Sequence, residues 1–554
     1  MATAVQKNDL LLANPANLEV SVGQAACLLG YTLACSLWAY TEFSLYVRRK
    51  PYEKVDHVEE EGKEAAAESG TADGGVNGRR SAEEKPVASY LTLHSLMNCG
   101  LVKCLQLDLE TLAQNVDALK SIVEFGTILL WFYVADRSSL LFPVQKEYLR
   151  DRLAFVFLTL VVVAGWTSTN KCRVASLLNR QQTEEWKGWM QVLFLLYHYF
   201  AAAEMYNFIR ILIAAYVWMT GFGNFLYYHK TNDFSIVRFC QMMWRLNFLV
   251  VFTCIVMRND YMLYYICPMH TIFTIGVYAS LGIGRGLNKH SYGIAIKIVG
   301  ALLTILVFWD IRAVFFAVWK PFTWLVGYRD PRKPDLDVLH EWYFRSSLDR
   351  YVWIFGMVCA WAHPYANAAL EKLDGLQLQT RVTLRAALLA VVSVLGYFWY
   401  TLVFTKPKLE YNTMHPYTSW IPILCWIVAR NLTPTLRNYS LGVFGWLGCI
   451  TLETYIGQFH TWLSTGIPNG QPKMLLNLFW QGYPLINFAI CSALYVFLSF
   501  RLFNLTNDLK NVAIPGKDIN LLMRNSVIML LAALVLCVAG FVLLELSSFL
   551  GVGS

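Results

Sequence analysis

Charge is what this chain has least of. Asp, Glu, Lys and Arg make up 15% of its 554 residues, against 56% hydrophobic ones. That scarcity excludes a water-soluble surface for most of the chain and assigns it to the polytopic membrane proteins. The +8 net charge is spread over many loops instead of one basic block, which excludes a nucleic-acid surface. The 13 cysteines form no Cys-x-x-Cys pair and fall mostly inside apolar runs. They read as soft packing residues, without disulfide framework or zinc-like spacing. There is no HExxH, no P-loop and no Gly-x-Ser-x-Gly elbow, so metal hydrolysis and nucleophilic serine chemistry find no support. The lack of an internal repeat argues against an inverted-repeat transporter. The N-terminal 19 residues carry no basic n-region, and the first apolar segment shows no clear small-residue cleavage site. The expectation is a retained anchor.

What is present is a succession of apolar segments, near 20–46, 116–135, 152–168, 188–204, 207–228, 236–257, 261–283, 292–318, 347–368 and 382–404, then 419–430, 439–464, 477–502 and 521–548. They predict an all-α polytopic bundle of roughly 13 membrane helices, within a range of about 11 to 14. Aromatics at 15% suit interfacial belts and polar-tipped cavity linings. Three parts follow: 1–46 with the first anchor, 47–115 as linker, and 116–554 as the membrane domain. Residues 47–89, rich in Gly, Ala, Ser and Glu, read as a disordered linker, and 90–112 as an interfacial helix. Arg48, Arg49 and Lys50 place the linker in the cytosol by the positive-inside rule. Lys320, Arg329, Arg332 and Lys333, with the glycosylation sequons at Asn438 and Asn504, favour the opposite orientation.

Ionisable groups inside apolar runs are costly and point to function more often than in a soluble core. Lys187, Gln191 and His198 share one helical face, with Glu204 and Arg210 on the next turns. From Gly188 the helix would carry His198 about 15 Å inward, roughly half of a ~30 Å hydrocarbon core. Between Tyr197 and Tyr199, a neutral imidazole can take a proton from a hydroxyl; the competing reading is a helix-to-helix hydrogen bond. Lys187, at the helix mouth, either snorkels or serves access. Arg238, Gln241 and Arg245 share a face, with Asn247 nearby. Two such arginines require an acidic partner (Asp260, Glu204 or Asp349) or a bound anion such as phosphate. Arg345 and Asp349, spaced i, i+4, form an expected pair, with Trp342 at the interface. Glu453 and His460 lie on one face at i, i+7, a candidate acid–base or orienting pair, with Gly457 between them giving room for close approach. His270, alone on its face, reads as structural, and Gly221-Phe-Gly223-Asn224 as close packing or a helix break.

Several stretches together resemble the plant reduced wall acetylation proteins. They are Glu185-Trp-Lys-Gly-Trp-Met-Gln191, Tyr197-His198, Thr220-Gly-Phe-Gly-Asn224 and Arg238-x-x-Gln241-x-x-x-Arg245-Leu-Asn247, followed by Trp342-x-x-Arg345-x-x-x-Asp349-Arg350 and Leu452-Glu453-Thr-x-x-x-Gln458-x-His460-x-Trp462. The same motifs occur in the membrane half of animal sialate O-acetyltransferases and in fungal capsule O-acetylation proteins. The likeness runs from about residue 116 to 548. Animal relatives carry an SGNH-type esterase domain between the first two spans, where this chain has only the 47–89 stretch. Serine chemistry, where required, would then come from a separate luminal acetyltransferase.

The resemblance implies a multi-pass Golgi membrane protein in O-acetylation of cell-wall polysaccharides such as xylan, with acetyl-CoA as donor and no metal. It is more distantly similar to bacterial membrane acyltransferases, whose helical histidine, matched here by His198, is taken as catalytic. Together with that match, the residues themselves suggest His198 as base or transient acetyl carrier, Glu453 or Glu204 orienting the ring, and His460 or Gln458 holding the acceptor or the oxyanion. Substrate contacts fall to Lys187, Gln191, Tyr197, Arg210, Arg238, Arg245, Asn247, Trp342, Arg345 and Asp349. The rival expectation is a carrier moving acetyl-CoA or an acetyl group across the membrane without bond chemistry. A third is a bundle that only scaffolds luminal acetyltransferases.

Overall fold

The computed structural model describes residues 20–68, 109–138, 140–174, 176–480, 482–516 and 518–550. They are nearly all helical. In chain order the helices used below are α1 (Val22–Glu68), α2 (Val116–Arg137), α3 (Arg150–Thr167), α4 (Arg180–Tyr199), α5 (Tyr206–Thr231), α6 (Ile236–Met257) and α7 (Ile266–Gly282). There follow α8 (Ser291–Ile305), α9 (His340–Leu348), α10 (Val352–Asp374), α11 (Leu378–Trp399), α12 (Lys408–Thr418) and α13 (Trp420–Asn431). The last are α14 (Gly442–Cys449), α15 (Thr451–Gly457), α16 (Pro484–Ala513) and α17 (Ile519–Phe549).

Eight helices among the described residues are long and apolar enough to cross a membrane, and α7 and α13 are shorter apolar ones. The higher expected number counts α3, α4 and α10 as well. Each of these carries charge near an end, such as Arg150-Asp151-Arg152, Glu184-Glu185-x-Lys187 and Glu371-Lys372-x-Asp374. The linker expectation is altered at its start. Helix α1 continues to Glu68 through a run of Glu, Lys and Ala, which are strong helix formers. Residues 69–108, with most of the expected interfacial helix, lie outside the described residues.

The chain divides into two units, Ala25–Thr127 with Ala533–Ser554, and Met1–Gln24 with Ile128–Ala532. In the smaller unit the Tyr31 hydroxyl meets the Thr127 hydroxyl at 3.0 Å.

The larger unit is organised by two close helix crossings. A Cβ built on Gly188 of α4 would overlap the Phe444 carbonyl, and one on Gly448 of α14 would overlap the Glu184 carbonyl. Gly221 of α5 and Gly356 of α10 stand in the same relation to Trp353 and Trp218. Without side chains the backbones come into direct contact, as small residues permit in membrane bundles.

Local signals set the helix ends. Asn179 caps α4, its side chain accepting from Gln182 N at 2.9 Å, and Ser235 caps α6 through Arg238 N. Helix α4 therefore begins eight residues earlier than the apolar run at 188, and ends at Tyr199 before Ala201 adopts φ 51°. His198 is thus its penultimate residue, a correction to the mid-helix placement. The apolar run 439–464 is also divided. Ile450 leaves helical backbone (φ −104°, ψ 21°) between α14 and α15, and Gln458–Trp462 form a π-helical turn. Insertion of a wider turn re-aims side chains and recurs at functional sites.

Among the described residues there are two small antiparallel sheets. One joins β1 (Val144–Gln145), β5 (Met474–Leu475) and β4 (Leu463–Ser464) in the order β1-β5-β4, with Val144 and Leu463 both opposite Leu475. The other pairs β2 (Thr169–Lys171) with β3 (Tyr439–Leu441), Asn170 opposite Ser440.

Gly188→Ala and Gly221→Ala should each destabilise the detergent-solubilised protein by about 1–3 kcal/mol through overpacking. Gly223→Ala, where a Cβ meets nothing within 4 Å, should leave the melting temperature unchanged. Equal effects at all three positions would contradict the crossing geometry.

Candidate active site

Helix α4 runs parallel to the 442–462 stretch, and polar rungs join them. Gln191 Nε2 donates to Thr454 Oγ1 at 3.0 Å and to the Thr451 carbonyl at 3.3 Å. Tyr216 of α5 donates to the Lys187 carbonyl at 2.6 Å and lies 3.2 Å from Gln191 Oε1. One turn beyond, Phe194 and Tyr455 rings sit 6.0 Å apart, and at the end Tyr199 and Trp462 sit 4.5 Å apart. Gln191 therefore aligns helices rather than opening toward solvent. Lys187 is paired with Glu184 at 2.6 Å.

His198 differs from its neighbours. Its ring packs edge-on against Phe194 (4.6 Å) and Tyr197 (5.0 Å), and among the described residues no hydrogen bond to either ring nitrogen is made. The charges of Lys146 and Arg345 act on it. Lys146 Nζ donates to the His198 carbonyl at 2.9 Å and to the Pro472 carbonyl at 2.8 Å, tying the end of α4 to the β1–β5 loops. The guanidinium of Arg345 lies 4.4 Å over the Tyr265 ring. The charges of Arg345 and Arg210, with the hydroxyls of Tyr206 and Tyr265, also bear on Tyr197. Arg345 thus acts on both His198 and Tyr197, and Arg210 on Tyr197.

Partners change around it. Arg345 pairs with Glu341 at 3.1 Å, not with Asp349. Asp349, fully buried, takes Arg210 Nη2 at 2.6 Å and lies 3.4 Å from His415 Nε2. An i, i+4 spacing permits a pair, but the break after Leu348 turns Asp349 away from its own helix. Arg210 is 1% exposed and leaves Nε and Nη1 without partners. Trp342 is fully buried against Trp319 (5.1 Å), its indole nitrogen also unpaired.

Glu453 and His460 do not pair with each other, which corrects the acid–base expectation. Glu453 binds Arg245, with Nη2 to Oε2 at 3.0 Å. Thus Arg245 finds an acidic partner other than the three weighed from sequence. Glu204 lies at the surface, bonded to Tyr148 and 3.7 Å from Arg150, so neither glutamate orients His198. Arg238 stacks on Tyr227 (4.4 Å) and reaches Gln241 at 3.5 Å. The charges of Arg238 and Arg245 act together on Lys510, making a basic cluster beside the start of α6. Asn247 is spent between Met243, Thr271 and Tyr261. His270 bonds Thr220 at 2.6 Å, in keeping with a structural role.

His460 belongs to a second buried network that the sequence reading missed. Its Nδ1 lies 2.7 Å from Asp136 Oδ2 and its Nε2 2.5 Å from the Tyr264 hydroxyl. Asp136 also accepts from Arg137 (3.1 Å), Ser464 (2.9 Å), the Thr465 amide (2.5 Å) and hydroxyl (2.8 Å), and the Gly466 amide (3.1 Å). Asn259 donates to the Tyr264 hydroxyl at 3.0 Å. Both His460 nitrogens are taken, so this network holds the loop after the π-turn. Asp136-Arg137 just past an apolar run was the available signal, since charges at a span end are costly to bury unpaired. Among the described residues no His, Cys, Asp or Glu group has the arrangement of a metal site.

Residues 81–527 match the family model of the 10 TM Acyl Transferase domain found in Cas1p. The chain is similar to the N-acetylneuraminate (7)9-O-acetyltransferase of Danio rerio, 33% identical over 422 residues, an alignment covering 73% of this chain and 52% of the relative. It thus spans about half the length of the curated relative it matches. No solved structure matches it.

Burial lowers the Lys146 amine to about 8. The folded protein then binds this proton less tightly than the unfolded chain, so stability should rise between pH 8 and the ordinary lysine value of 10.5. Thermal melts of wild type and Lys146→Met across that window check it. The rise should be smaller in the variant, and an identical slope would contradict burial of this amine.

Proposed function

The chain belongs to the family of the 10-TM acyl transferase domain found in Cas1p, and from that premise we propose that it is a membrane O-acetyltransferase drawing acetyl from acetyl-CoA. The observation that carries the reading is the unpaired imidazole of His198, packed against the rings of Phe194 and Tyr197 and acted on by the charges of Lys146 and Arg345. A neutral ring with a free nitrogen can accept the proton of an attacking hydroxyl. The acceptor oxygen then bonds to the acetyl carbon, the carbon–sulfur bond breaks, and the thiolate of CoA takes the proton back from the imidazolium. Alternatively His198 itself attacks and carries the acetyl group briefly before passing it on. The unpaired Arg210 nitrogens and the Arg345 guanidinium supply positive charge where negative charge develops.

The basic cluster of Arg238, Arg245 and Lys510 suits the phosphates of CoA. Lys187, on the same side, is about 16 Å along α4 from His198, the length scale of a pantetheine arm. The acceptor we propose is a cell-wall polysaccharide such as xylan in the Golgi, reached directly or through a luminal polysaccharide acetyltransferase. The support is the likeness of the dispersed motifs to the reduced wall acetylation proteins. The Danio rerio relative is named for acetylating N-acetylneuraminate, another sugar hydroxyl.

The carrier reading separates in one assay. Purified protein incubated with radiolabelled acetyl-CoA and xylo-oligosaccharide should release CoA, and His198→Ala should lose at least about 100-fold of that rate while keeping CoA binding. Arg245→Met paired with Glu453→Met should instead weaken CoA binding. Full turnover by His198→Ala would overturn the catalytic assignment, and vectorial uptake without CoA release would favour a carrier.

A further inference from the structure

Gln458 is fully buried, and among the described residues neither its amide nitrogen nor its amide oxygen has a hydrogen-bond partner. Leaving such a group unpaired away from water costs about 1–3 kcal/mol for each atom. The neighbouring Thr461 hydroxyl is buried and unpaired as well. Both belong to the π-helical turn Gln458–Trp462.

The contacts between α4 and this stretch place Gln458 closely. Gln191 meets Thr451 and Thr454, Phe194 meets Tyr455, and Tyr199 meets Trp462. These pairs keep a nearly constant offset and advance together along parallel helices. By the same offset Gln458 falls opposite residues 195–197, within about one turn of His198. It also shares the contacting face, four residues beyond Thr454 and four before Trp462. On α4, His198 follows Gln191 by seven residues and Phe194 by four, again the contacting face. Two facing helices thus present, at one level, an amide and an imidazole that both lack a protein partner.

We infer that Gln458 is a catalytic residue of this site, whose Nε2 donates to the carbonyl oxygen of the acetyl thioester and stabilises the oxyanion formed when the hydroxyl attacks. No bond to Gln458 forms or breaks; its N–H holds the charge that appears on the carbonyl oxygen and is lost again as the carbon–sulfur bond opens. The acetyl carbon then lies between Gln458 and His198, with the amide on the oxygen and the imidazole on the incoming hydroxyl. The inference rests on the acetyl-transfer reading above. It explains why a fully buried amide persists without a partner, since its partner is the substrate.

Gln458→Met and Gln458→Leu keep the volume and remove the donor. With acetyl-CoA and xylo-oligosaccharide as probes, either should lower kcat for CoA release by about 10²–10³-fold, as loss of one oxyanion donor does. The KM for acetyl-CoA and the Kd for CoA should stay within a few-fold. The melting temperature should hold or rise, because an apolar side chain of like shape replaces an unpaired buried amide. A purely structural glutamine predicts the reverse, a lowered melting temperature with kcat retained in whatever protein stays folded. Retained kcat, a Kd loss equal to the kcat loss, or failure of both variants to fold overturns the inference. Failure of the wild type to release CoA overturns the acetyl-transfer reading itself, a result distinct from equal turnover by wild type and variant.

Discussion

The backbone contact of α4 with α14 at Gly188 and Gly448 decides which residues of the two helices meet. With no Cβ at either position, the helices come close enough for short polar side chains to reach across. Gln191 bonds Thr454, and the register follows up to Tyr199 on Trp462. A bulkier residue at the crossing would move every later rung, and with it the relation between His198 and the π-turn. The second crossing, Gly221 on Gly356, does the same for α5 and α10, whose termini bring Arg210 and Asp349 together. The candidate site is therefore a consequence of packing, set by four residues that have no side chain to contribute.

In a water-poor interior, polar groups divide by whether the protein satisfies them. Asp136 gathers six donors, including the ring of His460, and this network clamps the loop bearing Ser464, Thr465 and Gly466. Arg245 and Glu453 answer each other, as do Lys187 and Glu184. Removing one member of a fully buried pair such as Asp136 and Arg137 strands the other at a cost of several kcal/mol. Among the described residues the Gln458 amide and two nitrogens of Arg210 are buried without a hydrogen-bond partner.

Much of this was legible in the sequence, and its failures have a common cause. Apolar length and hydropathy located the helices, several to within a few residues: the run 236–257 is α6 to the residue, and 116–135 is α2 short of Asp136 and Arg137. Cost in lipid drew attention to His198, Arg210 and Arg345 without any partner being known. Partner choice was what failed. Spacing along one helix suggested Arg345 with Asp349 and Glu453 with His460, whereas the observed partners of Asp349, Glu453 and His460 come from other helices, 139, 208 and 324 positions away. Periodicity reports a shared face, but cannot report what another helix brings to it. The shifted start of α4 is a smaller case. Asn179 supplied a cap that an apolar count does not weigh, and His198 moved from the middle of the apolar run to the end of its helix.

The central claim is that the acetyl group is transferred between α4 and the π-turn, with the imidazole of His198 at the reacting hydroxyl. The most direct measurement is an electron cryomicroscopy structure of the full chain in nanodiscs with a non-transferable acetyl-CoA analogue in which a methylene separates carbonyl and sulfur. The expected result is density with the carbonyl group between His198 and Gln458 and the phosphates toward Arg238, Arg245 and Lys510. Density for the acyl end away from His198, with that ring still facing only Phe194 and Tyr197, would contradict it.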